Sequence, residues 1–285
     1  MKGGAKVWRH RTGEILLDRT RVMGILNVTP DSFSDGGRYF DSEAALRRGL
    51  ELADEGADIL DIGGESTRPG SDPVTDEEEW RRIAPVVRSL AGKVSVPLSV
   101  DTMKPTVASH AIKAGASIVN DVSGLQDPAM IRVIAANHTG VVAMHMLGDP
   151  KTMQQHPRYS DVVGEVRAFL ADRVKVLETA GVSSESIAVD PGVGFGKTLE
   201  HNLALLGALD SLAALGHPVV VGVSRKSFLE KLAGGGPGER LSGSLAAATL
   251  AVSKGAHIVR AHDVRETVRA MRVVDGILRG GDGSV

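Results

Sequence analysis

The strongest constraint on the fold of this chain is a set of eight short apolar runs, each of which stops at a polar or ionisable residue. Continuous apolar runs rich in β-branched residues are typical of strands buried on both faces, as in parallel sheets. Stretches of helical character separate the runs, so the pattern indicates a repeated βα unit. Eight such units predict an α/β protein, a (β/α)₈ or TIM barrel, whose active site forms at the carboxyl ends of its strands.

The polar residues that stop the runs are therefore the first candidates for chemistry. The runs span 22–26, 59–60, 98–100, 118–119, 141–144, 187–189, 219–223 and 258–259. The residues that follow them are Asn27, Asp61, Asp101, Asn120, His145, Asp190, the Ser224-Arg225-Lys226 segment and Arg260. We expect these side chains to converge at one end of the barrel.

The segments between the runs predict the helices and a small preceding hairpin. The helices are expected at about 42–56, 76–91, 104–114, 127–136, 161–180, 198–215, 241–254 and 263–278. Asp41 or Ser42 would cap the first of them, and Thr75 the second. Three similar elements, GADI, GASI and GAHI, repeat one helix-to-strand turn in which Gly caps the helix and Ile enters the barrel. The hairpin is predicted from residues 6–8 and 15–17.

The composition limits the classes of function that remain possible. The chain has 285 residues, and since such a barrel needs about 250, we expect a hairpin extension over 1–20 and one barrel domain over 21–285. A formal net charge of −2 and the lack of a long apolar run predict neither nucleic acid nor a membrane as a partner. Zero cysteines exclude disulfides, thiolate metal sites and a cysteine nucleophile. The first twenty residues lack a signal-peptide core, so a cytoplasmic location is expected.

Two of the predicted βα loops are much longer than the usual two to six residues or so. They cover 28–39 and 63–75, and both are rich in Gly, Ser, Thr, Asp and Pro. Plain surface connections would have the same composition. Because both loops lie at the catalytic end of the predicted barrel, we interpret them as active-site lids. A third long stretch, 146–161, follows the fifth strand.

The segment 192–198, with the sequence GVGFGKT, resembles a nucleotide phosphate loop. That motif requires a glycine five residues before the glycine of its Gly-Lys-Thr end, and this chain has Pro191 there. ATP or GTP binding through this segment is therefore not expected. The glycines would instead let the backbone approach a flat ligand closely, or simply shape the loop.

The predicted rim divides into an acidic part and a cationic part. Asp101, Asn120 and Asp190 end separate strands, and with Lys226 they suit a heterocycle that presents several N–H donors. Each could also be a structural cap or an ion-pair partner. Cations lie elsewhere on the rim, and loops after strands seven and eight often bind phosphate in such barrels. These cations are Arg68, Arg260 and His262, for which solvated surface charge is the alternative.

Seven segments together resemble the successive signature blocks of the dihydropteroate synthase family. They are MGILNVTPDSFSDGG (23–37), DIGGESTRPG (61–70), SVDTMKP (99–105), VNDVSG (119–124), DPGVGFGKT (190–198), GVSRKSFL (222–229) and VRAHDV (259–264). The resemblance extends over about 22–278, in order. It implies a pterin-binding transferase of folate synthesis, which joins 6-hydroxymethyl-7,8-dihydropterin diphosphate to p-aminobenzoate and releases pyrophosphate. It also implies a homodimer and a target of sulfonamides.

The resemblance further implies roles for individual residues. The pterin would be held by Asp101, Asn120, Asp190 and Lys226, and the diphosphate by Arg68, Arg260 and His262. The p-aminobenzoate site would be lined by Phe33, Thr67, Pro69 and Ser227, and Asn27 would bind a Mg²⁺ cofactor. The catalytic set would comprise Asp101, Lys226, Arg260, His262 and Asp35, the last of these in the first mobile loop. The family commonly has Val where this chain has Ala261, a small change between two functional residues.

The implied reaction is SN1-like, with departure of the diphosphate assisted by Mg²⁺. Closure of the two loops over the site would exclude water, which would otherwise trap the cation as the alcohol. Two other functions share the pterin pocket: a methyltetrahydrofolate:corrinoid methyltransferase and a catalytically silent pterin-binding paralogue. The first handles no diphosphate, so the cationic residues disfavour it, and the complete set of site residues disfavours the second.

Overall fold

The apolar runs form the eight parallel strands of a barrel, as the sequence predicts. The structure is a computed structural model that describes residues 7–29 and 37–278. After a hairpin formed by β1 (Val7–His10) and β2 (Gly13–Leu16), the barrel strands follow in chain order. They are β3 (Arg21–Asn27), β4 (Ile59–Gly63), β5 (Leu98–Asp101), β6 (Ile118–Asp121), β7 (Gly140–Met144), β8 (Ile187–Asp190), β9 (Val220–Gly222) and β10 (Ile258–Ala261).

Neighbouring strands pair in parallel around the sheet in the order β8-β7-β6-β5-β4-β3-β10-β9. A further parallel bridge between Val189 and Val219 joins the two edges of this sheet and closes the barrel. The prediction of a TIM barrel with an N-terminal hairpin is thereby confirmed. Since the carboxyl ends of all eight strands lie at one end, that end is the predicted site of chemistry.

Helices cover the outside of the barrel and bury one apolar face each against it. They are α1 (Gly37–Asp54), α2 (Asp76–Ala91), α3 (Pro105–Ala114), α4 (Pro128–Asn137), α5 (Val162–Thr179), α6 (Leu199–Gly207), α7 (Leu209–Ala213), α8 (Ser227–Ala233), α9 (Leu241–Ser253) and α10 (Val264–Leu278). Among the described residues, no helix is both long and apolar enough to span a membrane.

The glycine-led turns connect helices to strands as predicted. Gly56, Gly115 and Gly255 have φ angles of 100°, 121° and 100°, a region in which a side chain would be strained. In each case the isoleucine three positions later is the first residue of the next strand. The repeated sequence element therefore marks a repeated structural element.

The amino-terminal end of the barrel is filled by apolar side chains. Met23, Ile59, Ile118, Val142, Ala188, Val220 and Ile258 form one buried cluster with residues of the hairpin region. Trp8 is fully buried in this cluster, and its indole Nε1 donates a hydrogen bond to the Ser186 carbonyl at 3.0 Å. The hairpin thus closes the end of the barrel that lies opposite the predicted active site. We call this cluster the barrel floor.

Several predicted boundaries differ from the structure. Helix α2 begins as expected, with the Thr75 hydroxyl accepting a hydrogen bond from the Glu78 amide. The prediction of a first helix capped by Asp41 or Ser42 is wrong, because α1 begins at Gly37, inside the stretch 28–39 whose composition predicts a loop. The predicted helix at 198–215 is interrupted at Ala208, whose φ of −118° is not helical. Helix α8 was missed because it is only seven residues long.

Candidate active site

A cavity of about 1070 Å³ opens at the carboxyl ends of the barrel strands. Nine of the residues predicted for the site line this cavity. They are Asn27, Thr67, Arg68, Pro69, Asp101, Lys226, Ser227, Arg260 and His262. Phe33 and Asp35 lie outside the described residues. The structure therefore brings most of the predicted site residues together, while their individual roles stay predictions.

Arg260 lines this cavity and pairs with two buried carboxylates. Its Nε donates to Asp61 Oδ2 and one terminal nitrogen donates to Asp101 Oδ2, both at 2.6 Å. Asp61 is fully buried, and Asp101 is nearly so. Because an arginine presents donors in a fixed planar fork, it can hold two carboxylates that would otherwise repel each other.

Asp61 lies deeper than the sequence predicts. Strand β4 does not stop at Leu60 but continues through Asp61 to Gly63, so the prediction that Asp61 ends the strand is wrong. Asp61 lies two positions after Ile59 of the floor, and alternate residues of a strand face the same side. Asp61 Oδ2 also accepts a hydrogen bond from Asn120 Nδ2 at 3.0 Å. Asp61 thus orients Arg260 and Asn120.

Asn120 and Asp190 are almost completely buried at the ends of β6 and β8. Asp190 Oδ1 accepts a hydrogen bond from the Gly192 amide at 2.7 Å, which fixes the start of the following turn. Asp101 Oδ1 is also buried and has no hydrogen-bond partner within the described part of the chain. A buried carboxylate oxygen that lacks a partner is costly, so a ligand that donates to Asp101 would be favoured.

Lys226 is the basic residue nearest to this acidic group. Its Nζ donates to the Val193 carbonyl and lies 4.8 Å from the centroid of the Phe195 ring, within the range of a cation–π contact. Burial lowers the pKa of Lys226 to about 8, although the charge of Asp190 opposes this shift. The pKa of Asp190 is raised, chiefly by burial.

The pKa of Asp101 is likewise raised, because burial disfavours the carboxylate and the neighbouring Asp61 adds repulsion, while Arg260 counteracts both. Burial acts against the charge of Arg260, but Asp61 and Asp101 outweigh it and raise the pKa of the guanidinium. Arg260 therefore stays charged at any working pH. The acidic end of the site is one coupled unit in which the arginine is indispensable to both carboxylates.

His262 stands beside Arg260 at the wall of the cavity. Its Nδ1 is hydrogen-bonded to Ser224 Oγ at 3.0 Å, and the same oxygen accepts the His262 amide at 3.1 Å. Burial, followed by the charges of Arg260 and Arg225, lowers the pKa of His262 to about 3. His262 is therefore a neutral hydrogen-bonding group, and Arg260 and Arg68 are the cations of the predicted diphosphate site.

The second loop is anchored at its base and exposed at its tip. Lys104 Nζ contacts Glu65 and also donates to Glu79 Oε2 at 2.6 Å, and Glu65 accepts the Val74 amide at 3.0 Å. Arg68 and Pro69 are exposed at the tip. The loop therefore presents its predicted ligand-binding residues from a buried, charged base.

Other cavity residues were not identified from the sequence as site residues. Phe195, Lys197, Met153 and Ile25 line the cavity, but apolar side chains and a lone lysine carry no distinct signal in a single sequence. His145 does not face the cavity as a strand-end ligand; it is buried and contacts Lys197. The GFGK turn does approach the cavity closely, which agrees with one of the two interpretations of its glycines.

One residue of the cavity, Asn27, is predicted to bind magnesium. Asn27 ends β3 and lines the cavity. No group of three or more His, Asp or Glu side chains that could hold a metal occurs in residues 7–29 and 37–278. Mg²⁺ often keeps its waters and binds through one or two protein oxygens together with substrate phosphates. A single amide oxygen at Asn27 would suit an ion that arrives with a diphosphate, and magnesium binding stays a prediction.

Comparisons with known proteins agree with this geometry. Residues 23–262 match the family model described as pterin binding enzyme. The dihydropteroate synthase of Escherichia coli strain K12 is 48% identical over 262 residues, which cover 92% of this chain and 93% of the relative.

Solved structures give the same result. A Xanthomonas albilineans dihydropteroate synthase with 4-aminobenzoic acid is 46% identical and covers 96% of this chain and 98% of its own, with a TM-score of 0.91. The same enzyme in complex with 7,8-dihydropteroate is 45% identical, covering 93% and 96% of the two chains, with a TM-score of 0.85. The family resemblance of the sequence is thereby confirmed: this chain belongs to the dihydropteroate synthase family of pterin-binding transferases.

Proposed function

We propose that this protein condenses 6-hydroxymethyl-7,8-dihydropterin diphosphate with p-aminobenzoate, giving 7,8-dihydropteroate and pyrophosphate. One observation carries the proposal: a single cavity has buried carboxylates in or beside its inner end and cations around its wall. Asp101 lines the cavity, as do Arg260 and Arg68, which supply the positive charge. Asp190 and Asn120 are not part of the lining, but Asp190 is buried close enough to Lys226 and Arg260 to interact with their charges. Relatives that share this fold have been solved with 4-aminobenzoic acid and with 7,8-dihydropteroate.

The buried carboxylates suit the amino-pyrimidine edge of a pterin. Asp190 keeps one carboxylate oxygen beyond the one that the Gly192 amide uses, and ionised carboxylates accept hydrogen bonds only. Asp101 Oδ1 is a second buried acceptor without a partner in the described chain. Asn120 can both donate and accept, and Lys226 supplies donors for a ring nitrogen or carbonyl. We assign pterin binding to these four residues.

The reaction would begin with cleavage of the bond between the pterin methylene carbon and the diphosphate oxygen. The electron pair leaves with the diphosphate, and the methylene cation that remains is delocalised into the electron-rich dihydropterin. Arg68 and Arg260 would stabilise the negative charge that develops on the leaving group, with His262 as a neutral hydrogen-bonding partner. Asp101 would stabilise the positive charge on the pterin. This path is SN1-like.

The second half of the reaction needs little acid–base help. The neutral aromatic amine of p-aminobenzoate attacks the methylene carbon with its lone pair, forms the carbon–nitrogen bond and releases one proton to solvent. We assign binding of p-aminobenzoate to Thr67, Pro69 and Ser227 at the cavity mouth, with Phe33 as a further expected contact. No strong general base is required.

A bound Mg²⁺ would add Lewis-acid stabilisation of the diphosphate as its charge grows. Asn27 would hold it, together with phosphate oxygens and water. The second loop would come closer over the filled site and exclude water, with Asp35 on the first loop acting in the same closure. The anchored base of the second loop supports a motion of its tip alone.

Release of pyrophosphate on addition of both substrates tests this function directly. We expect release that requires the pterin diphosphate, p-aminobenzoate and Mg²⁺ together, and that is abolished in Asp190→Ala. Pterin binding without release would indicate the silent paralogue. Methyl transfer from methyltetrahydrofolate to a corrinoid, without pyrophosphate release, would indicate the corrinoid methyltransferase. Inhibition by a sulfonamide in competition with p-aminobenzoate would support the expected drug target.

We further propose a homodimer assembled through the outer helices. Large apolar side chains are exposed on α9 and α10, at Leu250, Val273, Ile277 and Leu278. Exposed apolar side chains on two helices can mark a protein interface. Light scattering during size-exclusion chromatography should give twice the chain mass of 29.9 kDa, and a monomer would contradict the proposal. The cytoplasmic location remains a prediction.

A further inference from the structure

The turn Gly192–Gly196 lies between β8 and α6, and three of its five residues are glycines. Few of its own side chains can therefore hold its shape. Gly192, Gly194 and Gly196 all have positive φ angles, of 65°, 86° and 63°. A side chain at Gly192 would collide with the His145 carbonyl, since its Cβ would lie only 1.8 Å from that oxygen. Glycines give the chain this close approach, but they also give it the greatest conformational freedom. One backbone hydrogen bond lies inside the turn, from the Phe195 amide to the Gly192 carbonyl at 3.0 Å, so most of the support for its shape comes from groups around it.

Several polar side chains from neighbouring segments hold the turn in place. The Asn202 side chain accepts a hydrogen bond from the Gly194 amide at 2.7 Å, and Gln154 donates to the Gly194 carbonyl at 2.6 Å. The Tyr159 hydroxyl donates to the Gly196 carbonyl at 2.9 Å. Gln154 and Tyr159 both belong to the long segment 146–161. That segment thus packs against the turn as a support.

Lys197 holds the turn from its buried side. Its Nζ is 2.9 Å from the Phe195 carbonyl, 2.9 Å from His145 Nδ1 and 3.3 Å from the His145 carbonyl. The side chain is only 3% exposed. An ammonium group has three N–H donors, and these three acceptors match them in number. Lys197 therefore connects the end of β7 with the middle of the turn.

Within residues 7–29 and 37–278, no carboxylate is in hydrogen-bonding contact with the buried amine of Lys197. Burial and the charge of Lys226 lower the pKa of Lys197 to about 7. Burial, followed by the charge of Lys197, likewise lowers the pKa of His145 to about 3, so its ring is neutral and Nδ1 can accept a hydrogen bond. Edge-on contact with the Phe169 ring, with centroids 4.9 Å apart, fixes the orientation of the imidazole. A buried lysine among neutral acceptors is costly for stability, which suggests that it serves the site.

We propose that Lys197 is a positioning residue, which holds the Gly192–Gly196 turn in the conformation that places Phe195 and the Val193 carbonyl against Lys226. This proposal rests on the proposed function for its kinetic consequences. Lys226 contacts the same turn through the Val193 carbonyl and the Phe195 ring. Loss of the Lys197 contacts would leave the cavity wall next to Asp190 without its inner support. Lys197 itself would take no part in bond making or breaking.

The kinetic test uses Lys197→Met, which keeps the length of the side chain and removes its donors. We expect the KM for the pterin diphosphate to rise about tenfold while kcat changes less than threefold, because misplacement of a binding wall weakens positioning. A merely structural lysine would lower the melting temperature and the active fraction without moving either Michaelis constant. Michaelis constants within twofold of the wild type for both substrates would overturn the proposal.

Two controls separate this effect from general loosening of the region. Lys175→Met removes an exposed lysine on α5 and should leave all constants unchanged. Tyr159→Phe removes one outer contact of the same turn and should raise the KM less than threefold. If Tyr159→Phe matches Lys197→Met, the special position of Lys197 is refuted. Should Lys197→Met fail to fold, His145→Gln takes its place, and an unchanged KM in that variant has the same meaning.

Hydrogen–deuterium exchange tests the proposal without any turnover. In Lys197→Met, amides of residues 192–198 should exchange at least tenfold faster than in the wild type, while β7 and β8 keep their protection. Unchanged exchange in the turn would overturn the positioning role even in an active enzyme. A wild-type protein that releases no pyrophosphate would instead refute the proposed function, and the exchange result would still decide the role of Lys197.

Discussion

The two ends of the barrel are made by the same strands and have opposite chemistry. At the floor, Ile59, Ile118 and Ile258 pack with the hairpin in a wholly apolar cluster. Two residues further along the same strands are Asp61, Asn120 and Arg260. Since alternate residues of a strand face the same side, one step of two residues leads from the floor to these polar side chains. Together with Asp101 we call them the charged layer.

The two ends of the barrel therefore differ in what they contribute to stability and to ligand binding. The floor removes apolar area from water and stabilises the native state. The charged layer contains buried carboxylate oxygens without partners, at Asp61 and Asp101, which is unfavourable for stability within the described chain. A ligand that satisfies such groups is bound more tightly for that reason. We therefore expect substitutions at the floor to affect stability and substitutions in the charged layer to affect activity.

Substitution of Arg260 should affect both stability and activity, and it is the largest effect that we expect. Arg260→Met leaves Asp61 and Asp101 buried without their cation, so it should lower the free energy of unfolding by about 3–5 kcal/mol. It should also reduce kcat/KM for the pterin diphosphate by about a thousandfold, because a charge-stabilising donor at the reacting group is lost. Urea unfolding and steady-state kinetics on the same preparation measure both.

The matched control is Arg260→Lys, which keeps the charge but lacks the planar fork. We expect it to recover much of the stability and little of the activity. If Arg260→Met were as stable as the wild type, the two carboxylates would not depend on the arginine, and the description of one coupled unit would be wrong.

Substitution of Trp8 in the barrel floor should affect stability and leave activity unchanged. Trp8→Ala removes a fully buried ring and should cost about 3–5 kcal/mol of stability, with kcat/KM of the folded protein unchanged within twofold. Trp8→Phe retains an aromatic ring but not the hydrogen bond to the Ser186 carbonyl, and should cost less. Thermal unfolding gives the first quantity, and kinetics well below the melting temperature give the second. A large loss of activity in folded Trp8→Ala would show that the two ends are coupled.

The pH dependence should separate activity from stability at Lys226. Its pKa is lowered from 10.5 to about 8, so kcat/KM should fall about tenfold per pH unit above that value as the ammonium is lost. Between the two pKa values the unfolded chain binds more protons than the folded chain, so this group makes stability rise with pH in the same window. Lys226→Arg should lose the alkaline limb. A limb that persists there would assign it to another group.

The fold could be predicted from the sequence because its signals are local and repeated. The apolar runs and the glycine turns at Gly56, Gly115 and Gly255 each need only a few neighbouring residues to be recognised. The start of α1 and the short helix α8 could not be predicted, because glycine-rich or short segments lack periodicity. The boundary of β4 was missed because Asp61 interrupts an apolar run, and only the barrel interior explains a charge in mid-strand.

The site could be predicted only in part, for the same physical reason. Asp101, Asp190 and Lys226 stand at predicted strand ends, so topology alone brings them together. Lys197 and His145 are 52 positions apart in the chain, and their contact depends on the path of the turn between Gly192 and Gly196. No sequence signal gives such a path. Single sequences thus reveal which residues a fold places at its rim, and they do not reveal what holds those residues in place.

Substitution of Thr75 should have the smallest of these effects. Thr75 lies at the functional end of the barrel, but its hydrogen bond stabilises helix α2. Its hydroxyl caps α2 by accepting the Glu78 amide at 3.2 Å, so Thr75→Ala should lower stability by about 1 kcal/mol. The base of the second loop has its own anchor, since Glu65 accepts the Val74 amide. Activity should therefore change less than twofold, and Thr75→Ser, which keeps the hydroxyl, should restore stability. A fall in kcat/KM with intact stability would mean that the start of α2 sets the position of Arg68, and that the two tasks of stability and activity divide by end of the barrel and not by residue.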